Sequence, residues 1–253
     1  MTASDGSSAR LAHLAGPTVA GMGGAFMISP EARAAGKDGG FRGRELYTVG
    51  RGGAIGDAAP AAVVASFGFW EPGLVTDAWE SGRSKAPVAE TVARYAEVCR
   101  DWGRHRWAEL AGVDRLAELL SAVNDAADAS GWALYAGWRA VPLPTDGPGR
   151  AAQLLHVLRE HRGGAHLVAV RTAGLTPLEA VVAGPGGGRN AAFFGWSEPL
   201  PAATDELRSR RARAEELTDE LVSPAYVVLD DSAADELVAL LGDAQSAAFP
   251  PEA

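Results

Sequence analysis

Apolar residues recur along much of the chain at the three- and four-residue spacing of one helix face. From Val92 the positions Tyr95, Cys99 and Trp102 continue such a stripe, and a second stripe follows Asp114. This period predicts amphipathic helices that lie on a core. Two such helices with a short connection are expected to pack antiparallel.

Helix start signals recur in the rest of the chain. Ser29 followed by Pro30 has the form of a helix N-terminus, as does Thr176 followed by Pro177 and Glu179. Apolar positions predict further helices over residues 61–70, 151–161, 165–173, 178–183, 204–222 and 233–241, and an extended strand over residues 225–229. The fold class is therefore expected to be mainly α.

Glycine and proline suggest where the chain divides. Residues 142–149 (PLPTDGPG) contain three prolines and two glycines, which permit neither a helix nor a central strand. Gly163 and Gly164, the double glycine, are expected to end one helix and to turn the chain into the next. The expected units are a disordered tail (1–10), an N-terminal helical domain (11–141), a linker (142–149) and a C-terminal helix-turn-helix-like domain (150–253).

Composition limits the partners and the compartment. The 23 basic and 32 acidic residues give a net charge of −9, which disfavours sequence-independent binding to nucleic acid. A single cysteine, Cys99, excludes an intrachain disulfide and fits a reducing compartment. The N-terminus has no signal-peptide pattern, and no uninterrupted apolar run approaches the roughly 20 residues of a membrane span. We expect a cytoplasmic protein without a membrane partner.

The densest group of ionisable side chains surrounds the double glycine. It comprises His156, Glu160, His161, Arg162 and His166. A turn at the double glycine would let His161 and His166 face one crevice, with Arg162 between them. In this hypothesis His161 and His166 are proton acceptor and donor, and Glu160 orients a histidine. His156 and Arg162 would contact the ligand.

Three interpretations of this group stay open. The basic side chains could cap the end of a helix and complement its dipole. They could instead form a small-molecule or acid–base site. Finally, His156, His161 and His166 could bind a metal or a haem, although their spacing matches no known zinc motif. The cofactor, if one is needed, stays unknown.

A glycine-rich stretch and several aromatic residues supply further candidates. Residues 50–56 (GRGGAIG) lack the Lys and Ser/Thr pair of a phosphate-binding P-loop, so Arg51 is expected to face a carboxylate or an anionic ligand. Tyr47, Phe67 and Trp70 are candidates for the wall of a ligand pocket. Filling of the core is the commoner role of such aromatic residues.

Five motifs resemble those of one family. They are SPEA (29–32), GRGGAIG (50–56), ASFGF (65–69), REHRGGAH (159–166) and TDEL (218–221). In this order they resemble an actinobacterial family of helix-turn-helix, MarR-like proteins, over about residues 11–241. The resemblance implies an N-terminal helical half packed on a C-terminal half related to the winged helix. It also implies that the histidine-rich motif carries over to His156, Glu160, His161, Arg162 and His166.

The segment expected to hold the wing is short. Only residues 197–203, with two prolines, separate Trp196 from Thr204, which leaves no room for both a recognition helix and a wing. We therefore expect a degenerate wing, and we do not expect nucleic acid to be a partner. The leading hypothesis is a small-molecule-binding protein, which could also be an acid–base enzyme of specialised metabolism. The first alternative is a ligand-responsive MarR-like transcriptional regulator, which could be a homodimer. The second alternative is a His-ligated metal or haem protein.

Overall fold

The computed structural model describes residues 3–250, and side chains from residue 6 onward. Over this range the chain forms helices and no strand. The α-helices are α1 (Ala3–Ala25), α2 (Pro30–Asp38), α3 (Glu45–Gly52), α4 (Pro60–Phe67), α5 (Pro72–Arg83), α6 (Val88–Trp107), α7 (Val113–Ala126), α8 (Ala133–Arg139), α9 (Gly147–Thr172), α10 (Pro177–Ala183), α11 (Gly187–Phe193), α12 (Asp205–Val222) and α13 (Asp231–Ala248). The mainly helical class is confirmed, and the described residues contain no wing hairpin.

Helix α9 is the central element of the fold. It has 26 residues and contacts α1, α6, α7, α8 and α12. Two glycines allow neighbouring helices to approach it closely, because a side chain there would collide with the α9 backbone. Gly23 of α1 faces the carbonyl of Leu155, and Gly103 of α6 faces the carbonyl of Pro148. The core is therefore built around α9.

The double glycine does not turn the chain, which corrects the prediction of two helices there. Helix α9 runs without interruption through Gly163 and Gly164. A Cβ atom on Gly164 would lie 2.9 Å from Cγ of Trp132, so glycine permits close packing at this position. Burial of α9 on several sides outweighs the roughly 1 kcal/mol by which each glycine disfavours a helix relative to alanine.

Three other local predictions differ from the structure. The predicted tail is helical from Ala3 onward, and residues 1–2 lie outside the described range. The predicted linker ends early, because Asp146 caps α9 by accepting a hydrogen bond of 2.8 Å from the backbone of Gly149. The predicted strand at residues 225–229 lies almost entirely within a 3-10 helix, Ser223–Val228. Without a neighbouring strand, extended backbone would leave its hydrogen-bonding groups unpaired.

One hydrophobic core contains residues from both predicted domains. Trp107 of α6 is fully buried, and its indole nitrogen donates a hydrogen bond of 2.9 Å to the carbonyl of Ala244 in α13. Leu154 and Leu155 of α9 belong to the same core. The division into two domains stays a prediction.

Helices α10 and α11 form a small unit at the end of α9. The predicted capping box of α10 is present, with Thr176 and Glu179 bonding each other's backbone amides. Val181 and Val182 of α10 pack against Ala191 of α11 in a small separate cluster. Helix α12 begins at Asp205 and packs on α10. This places a pair of short helices beside the main body of the fold.

The N-terminal stretch Gly6–Asp38 is, in the described part of the chain, the one candidate long and apolar enough to cross a membrane. In the structure it is divided into helices by Ser29, which caps α2. Leu11, Val19 and Met22 of α1 are buried in the core. The same apolar character is expected of a core helix, and the predicted cytoplasmic location stays a prediction.

Candidate functional site

A cavity of about 480 Å³ lies along one side of α9. Aromatic side chains from the end of α4, the α4–α5 connection, the start of α8 with the loop before it and the end of α11 form much of its wall. They are Phe67, Phe69, Trp70, Trp132, Tyr135 and Phe194. Charged or ionisable side chains from α3 and α9 complete it: Arg51, Arg159, Glu160, Arg162 and His166. A volume of this size accommodates a small organic molecule.

Arg51 and Glu160 form a buried, two-pronged ion pair at the cavity. Nε and Nη2 of Arg51 each donate a hydrogen bond of 2.8 Å to one carboxylate oxygen of Glu160. Their side chains are 8% and 1% exposed. Burial raises the pKa of the Glu160 carboxyl, but the charges of Arg51 and Arg159 outweigh burial and lower this pKa to about 2. Glu160 is therefore a fixed anion at neutral pH.

The cavity carries an excess of positive charge. Arg159 donates a third charge-assisted hydrogen bond, of 2.8 Å, to Glu160, so two guanidiniums share one carboxylate. The charge of Arg162 is neutralised by carboxylates of α12, because its Nη2 lies 3.3 Å from Glu215 and 3.3 Å from Asp219. The surplus of one cation favours an anionic ligand.

His166 lies at the cavity as a neutral imidazole with a defined tautomer. The Thr218 hydroxyl donates its proton to the carbonyl of Ala214, at 2.6 Å, and so it accepts a hydrogen bond of 2.9 Å from Nδ1 of His166. Burial lowers the pKa of His166 to about 4, although Glu215 acts in the opposite direction. Its Nε2 lies 3.9 Å from Glu215 and carries the free lone pair.

His161 does not share the cavity, which corrects the prediction that His161 and His166 face one crevice. The two residues are five positions apart on a continuous helix, so they point about 140° apart. His161 packs against the rings of Trp132 and Tyr135, with centroid distances of 4.6 and 4.8 Å. Burial lowers its pKa to about 4. The structure therefore does not assemble the predicted acid–base pair.

His156 and Tyr47 lie next to the Arg51–Glu160 ion pair, outside the lining of the cavity. His156 is fully buried against Phe26 and Trp138, and its Nδ1 lies 3.9 Å from Glu160. Burial lowers the pKa of His156 to about 3, so the ring is neutral. Tyr47 accepts a hydrogen bond of 3.0 Å from Arg51. Neither His156 nor Tyr47 lines the cavity.

The structure brings together six of the nine predicted site residues: Arg51, Phe67, Trp70, Glu160, Arg162 and His166. Five further aromatic or charged side chains of the lining were not predicted from the sequence as site residues: Phe69, Trp132, Tyr135, Arg159 and Phe194. Of these, Arg159 precedes Glu160 within the histidine-rich motif, and Phe69 belongs to the ASFGF motif. Among the residues that the structure describes, no group of three or more His, Cys, Asp or Glu could hold a metal ion.

The aromatic wall of the cavity is bonded to the segment that follows α11. Trp70 and Phe194 stack edge to face with centroids 5.0 Å apart. The backbone amide of Glu71 donates a hydrogen bond of 2.9 Å to the carbonyl of Phe194. The indole of Trp196 donates one of 2.8 Å to the carbonyl of Phe69. A ligand that moves Phe69 or Trp70 would therefore act directly on the end of α11.

Arg44 makes a second connection to α11. Its guanidinium lies over the rings of Trp70 and Phe193, 4.3 and 4.6 Å from their centroids. It also donates a hydrogen bond of 2.6 Å to the carbonyl of Phe193. Helix α11 is thus held against the cavity wall by stacking and by backbone hydrogen bonds.

These features define a mainly helical protein in which a cavity adjoins a pair of short helices. The chain belongs to the helix-turn-helix family, whose model matches residues 12–251. No curated protein and no solved structure matches the chain. The helix-turn-helix part of the predicted resemblance is confirmed, whereas the relation to MarR proteins and the actinobacterial origin stay predictions.

This membership contradicts the expectation that nucleic acid is an unlikely partner, because the helix-turn-helix is a DNA-binding unit. The expectation rested on the net charge of −9 and on the shortness of residues 197–203. In the structure a second short helix, α11, already lies before Trp196 and follows α10 after a turn at residues 184–186. The glycines at positions 186–188 obscured α11 in the sequence.

Proposed function

We propose that this protein is a DNA-binding helix-turn-helix protein whose affinity for DNA responds to a small organic anion in the central cavity. The observation that carries the proposal is the shared wall, in which Phe194 both lines the cavity and closes α11. Family membership supports the DNA-binding half of the proposal. The cavity and its surplus positive charge support the ligand-binding half.

Helix α11 is the proposed recognition helix. Arg189, Asn190 and Phe193 are exposed on it, while Ala191 faces the fold. Arg189 makes no ion pair among the described residues. In contrast, Arg208 of α12 pairs with an acidic side chain, Asp205, at 2.7 Å. An unpaired arginine and an amide that are both exposed on a helix are groups that read base edges and phosphates.

The proposed ligand is a planar organic anion. Phe69, Trp70 and Trp132 offer apolar faces, and Arg159 offers a cation that lacks a carboxylate of its own. A ligand that stacks on Trp70 changes how the Trp70 ring packs against Arg44 and Phe194. Because Arg44 contacts the end of α11 and Phe194 is its C-terminal cap, the ligand favours one orientation of that helix over another.

The first experiment measures DNA binding by gel shift. The probe is a labelled fragment from upstream of the protein's own gene, at 50 mM KCl and at rising salt. We expect a retarded complex whose affinity falls steeply with salt. Arg189→Ala should weaken binding about tenfold, whereas the control Arg208→Ala should change it by less than twofold. Absence of a complex at micromolar protein on this fragment and on genomic fragments refutes the DNA-binding half.

The second experiment tests the ligand with anilinonaphthalene sulfonate, an aromatic anion that fluoresces in apolar sites. We expect saturable binding that Arg159→Met weakens and that Arg213→Met, an exposed control on α12, leaves unchanged. Bound dye should change the gel-shift affinity at least threefold. Dye binding without any change in DNA affinity rejects the coupling while leaving each binding activity intact.

The proposal includes a homodimer, because helix-turn-helix proteins commonly read two half-sites one DNA turn apart. Sedimentation of the free protein and of its DNA complex measures the stoichiometry. Two protomers for each retarded fragment is the expected result. A single protomer in the complex contradicts this part of the proposal.

A further inference from the structure

A second hollow, the α2–α3–α6 cleft, shares no lining residue with the central cavity, although Tyr47 in its lining accepts a hydrogen bond of 3.0 Å from Arg51 of that cavity. It measures about 490 Å³. Apolar side chains form its walls, namely Met27, Ala32, Phe41 and Leu46. Two phenols, Tyr47 and Tyr95, line it as well. The function proposed for the central cavity does not use this cleft.

The charged lining of the cleft is entirely basic. It consists of Arg33, Lys37 and Arg42, without any acidic residue. Lys37 and Arg42 make no ion pair among the described residues, and Arg33 uses one nitrogen to donate a hydrogen bond of 2.7 Å to the carbonyl of Ile28. These cations attract a negatively charged ligand because no neighbouring carboxylate in the lining neutralises them.

Two acidic side chains close to this lining are already engaged. Glu45 pairs with Lys85, accepts a hydrogen bond of 2.6 Å from Ser81 and accepts one of 2.7 Å from the backbone amide of Arg42. Glu31, on the same helix as Lys37, pairs with Arg106 at 2.7 Å. Asp38, which follows Lys37 on α2, makes no ion pair with it among the described residues, so the positive charge of the cleft remains available.

Tyr95 supplies an unused hydrogen-bond donor. The residue is 1% exposed, and its hydroxyl has no hydrogen-bond partner. The ring is held in place on one side by Gly50, where an added Cβ would lie 2.6 Å from the Tyr95 ring. Burial raises the pKa of this hydroxyl well above 10, so it remains a donor at neutral pH. A buried, unpaired hydroxyl gains from any ligand oxygen that reaches it.

We infer that the α2–α3–α6 cleft binds a small organic anion, either a carboxylate or a phosphate monoester with a short apolar body. An anionic oxygen accepts a hydrogen bond from Tyr95. Lys37 and Arg42, on long side chains, neutralise the charge. Met27, Phe41 and Leu46 contact the apolar body.

The test titrates sodium hexanoate and hexyl phosphate into isotopically labelled protein and follows the backbone amides by NMR. Neutral hexanol and inorganic phosphate are the comparison probes. We expect the amide signals of Lys37, Gly40 and Gly43 to shift when hexanoate or hexyl phosphate is added. The affinity from these titrations should be at least tenfold higher than the affinity for hexanol. The stronger of the two anions identifies the headgroup class. Equal affinity for hexanol, or shifts confined to the central cavity, overturns the inference.

Variants separate the contribution of the basic side chains from that of the Tyr95 hydroxyl. Lys37→Met combined with Arg42→Met should weaken the preferred anion at least tenfold, and Tyr95→Phe at least threefold without loss of thermal stability. Arg94→Met combined with Arg208→Met removes two exposed arginines outside the cleft; it is the charge-matched control and should change affinity by less than twofold. Arg159→Met, which weakens the central site, should weaken anion binding in this cleft by less than twofold, because Arg159 does not line the cleft and acts on Tyr95 only through its charge. An equal loss with the double control Arg94→Met, Arg208→Met shows that only net charge matters and contradicts the proposed site.

Discussion

Glutamine in place of Glu160 provides the sharpest test of the buried charge cluster. The substitution keeps the size of the side chain but removes the anion between Arg51 and Arg159. Arg51, which is 8% exposed, would then be a buried cation without a counter-ion. Removing one partner of a buried pair costs roughly 3–5 kcal/mol of folding free energy. Arg159 is 27% exposed and can turn to solvent, so the cost arises chiefly at Arg51.

The pKa of Glu160 gives an independent magnitude. A folded-state pKa of about 2, against the ordinary value of 4.5, corresponds to about 3 kcal/mol of stability at neutral pH. Because the folded-state value is the lower one, this contribution is complete above about pH 4.5. It is lost as the pH falls from there toward about 2. Glutamine cannot ionise, so the variant should lack this part of the acid sensitivity.

Urea unfolding, followed by tryptophan fluorescence, measures both effects. Glu160→Gln should lower the free energy of unfolding by about 3 kcal/mol at pH 7, and its difference from the parent should shrink below pH 4. Glu118→Gln, at a pair whose carboxylate is 65% exposed, is the matched control and should cost less than about 1 kcal/mol. A loss below about 1 kcal/mol for Glu160→Gln would refute the assignment of a buried, mutually dependent pair.

Two further predictions concern helix α9. Gly164→Ala should lower the free energy of unfolding by roughly 1–3 kcal/mol, because the added methyl group meets Trp132. Gly163→Ala places its methyl group where no other atom lies within 4 Å, so its effect on this free energy should be neutral or stabilising. Unfolding curves of the two variants compare them directly, and equal losses would contradict the packing at Trp132. Burial lowers the pKa of both His161 and His166 to about 4, so the unfolded chain binds more protons and stability should fall between about pH 6.5 and 4. His161→Phe should make that fall shallower in a series of urea midpoints, and an unchanged slope would argue against a buried, neutral His161.

Much of the fold was predictable from local signals. Ser29 and Thr176 cap helices as expected, because an N-cap and the proline after it act within a few residues. The stripe through Tyr95 and Trp102 is buried on α6, because its period reports directly which face meets the core. Such interactions are encoded in short windows of sequence.

The predictions that failed depend on distant contacts. Gly163 and Gly164 have a strong local tendency to end a helix, but packing partners far away in the chain keep α9 continuous. That continuity separates His161 from His166 and determines which side chains reach the cavity. The pairing of Arg51 with Glu160, 109 positions apart, was anticipated only as an arginine facing some carboxylate. No pattern within a short window identifies such a partner.

The continuity of α9 also limits how this gene can change in length. Inserting one residue at the double glycine would rotate everything beyond it by about 100° and advance it by about 1.5 Å. His166 would leave Thr218, and α10 would be carried around the helix axis. Residues 197–203, which lie outside any helix, impose no such coupling. Insertions and deletions are therefore expected to accumulate before α12, while α9 varies only by substitution.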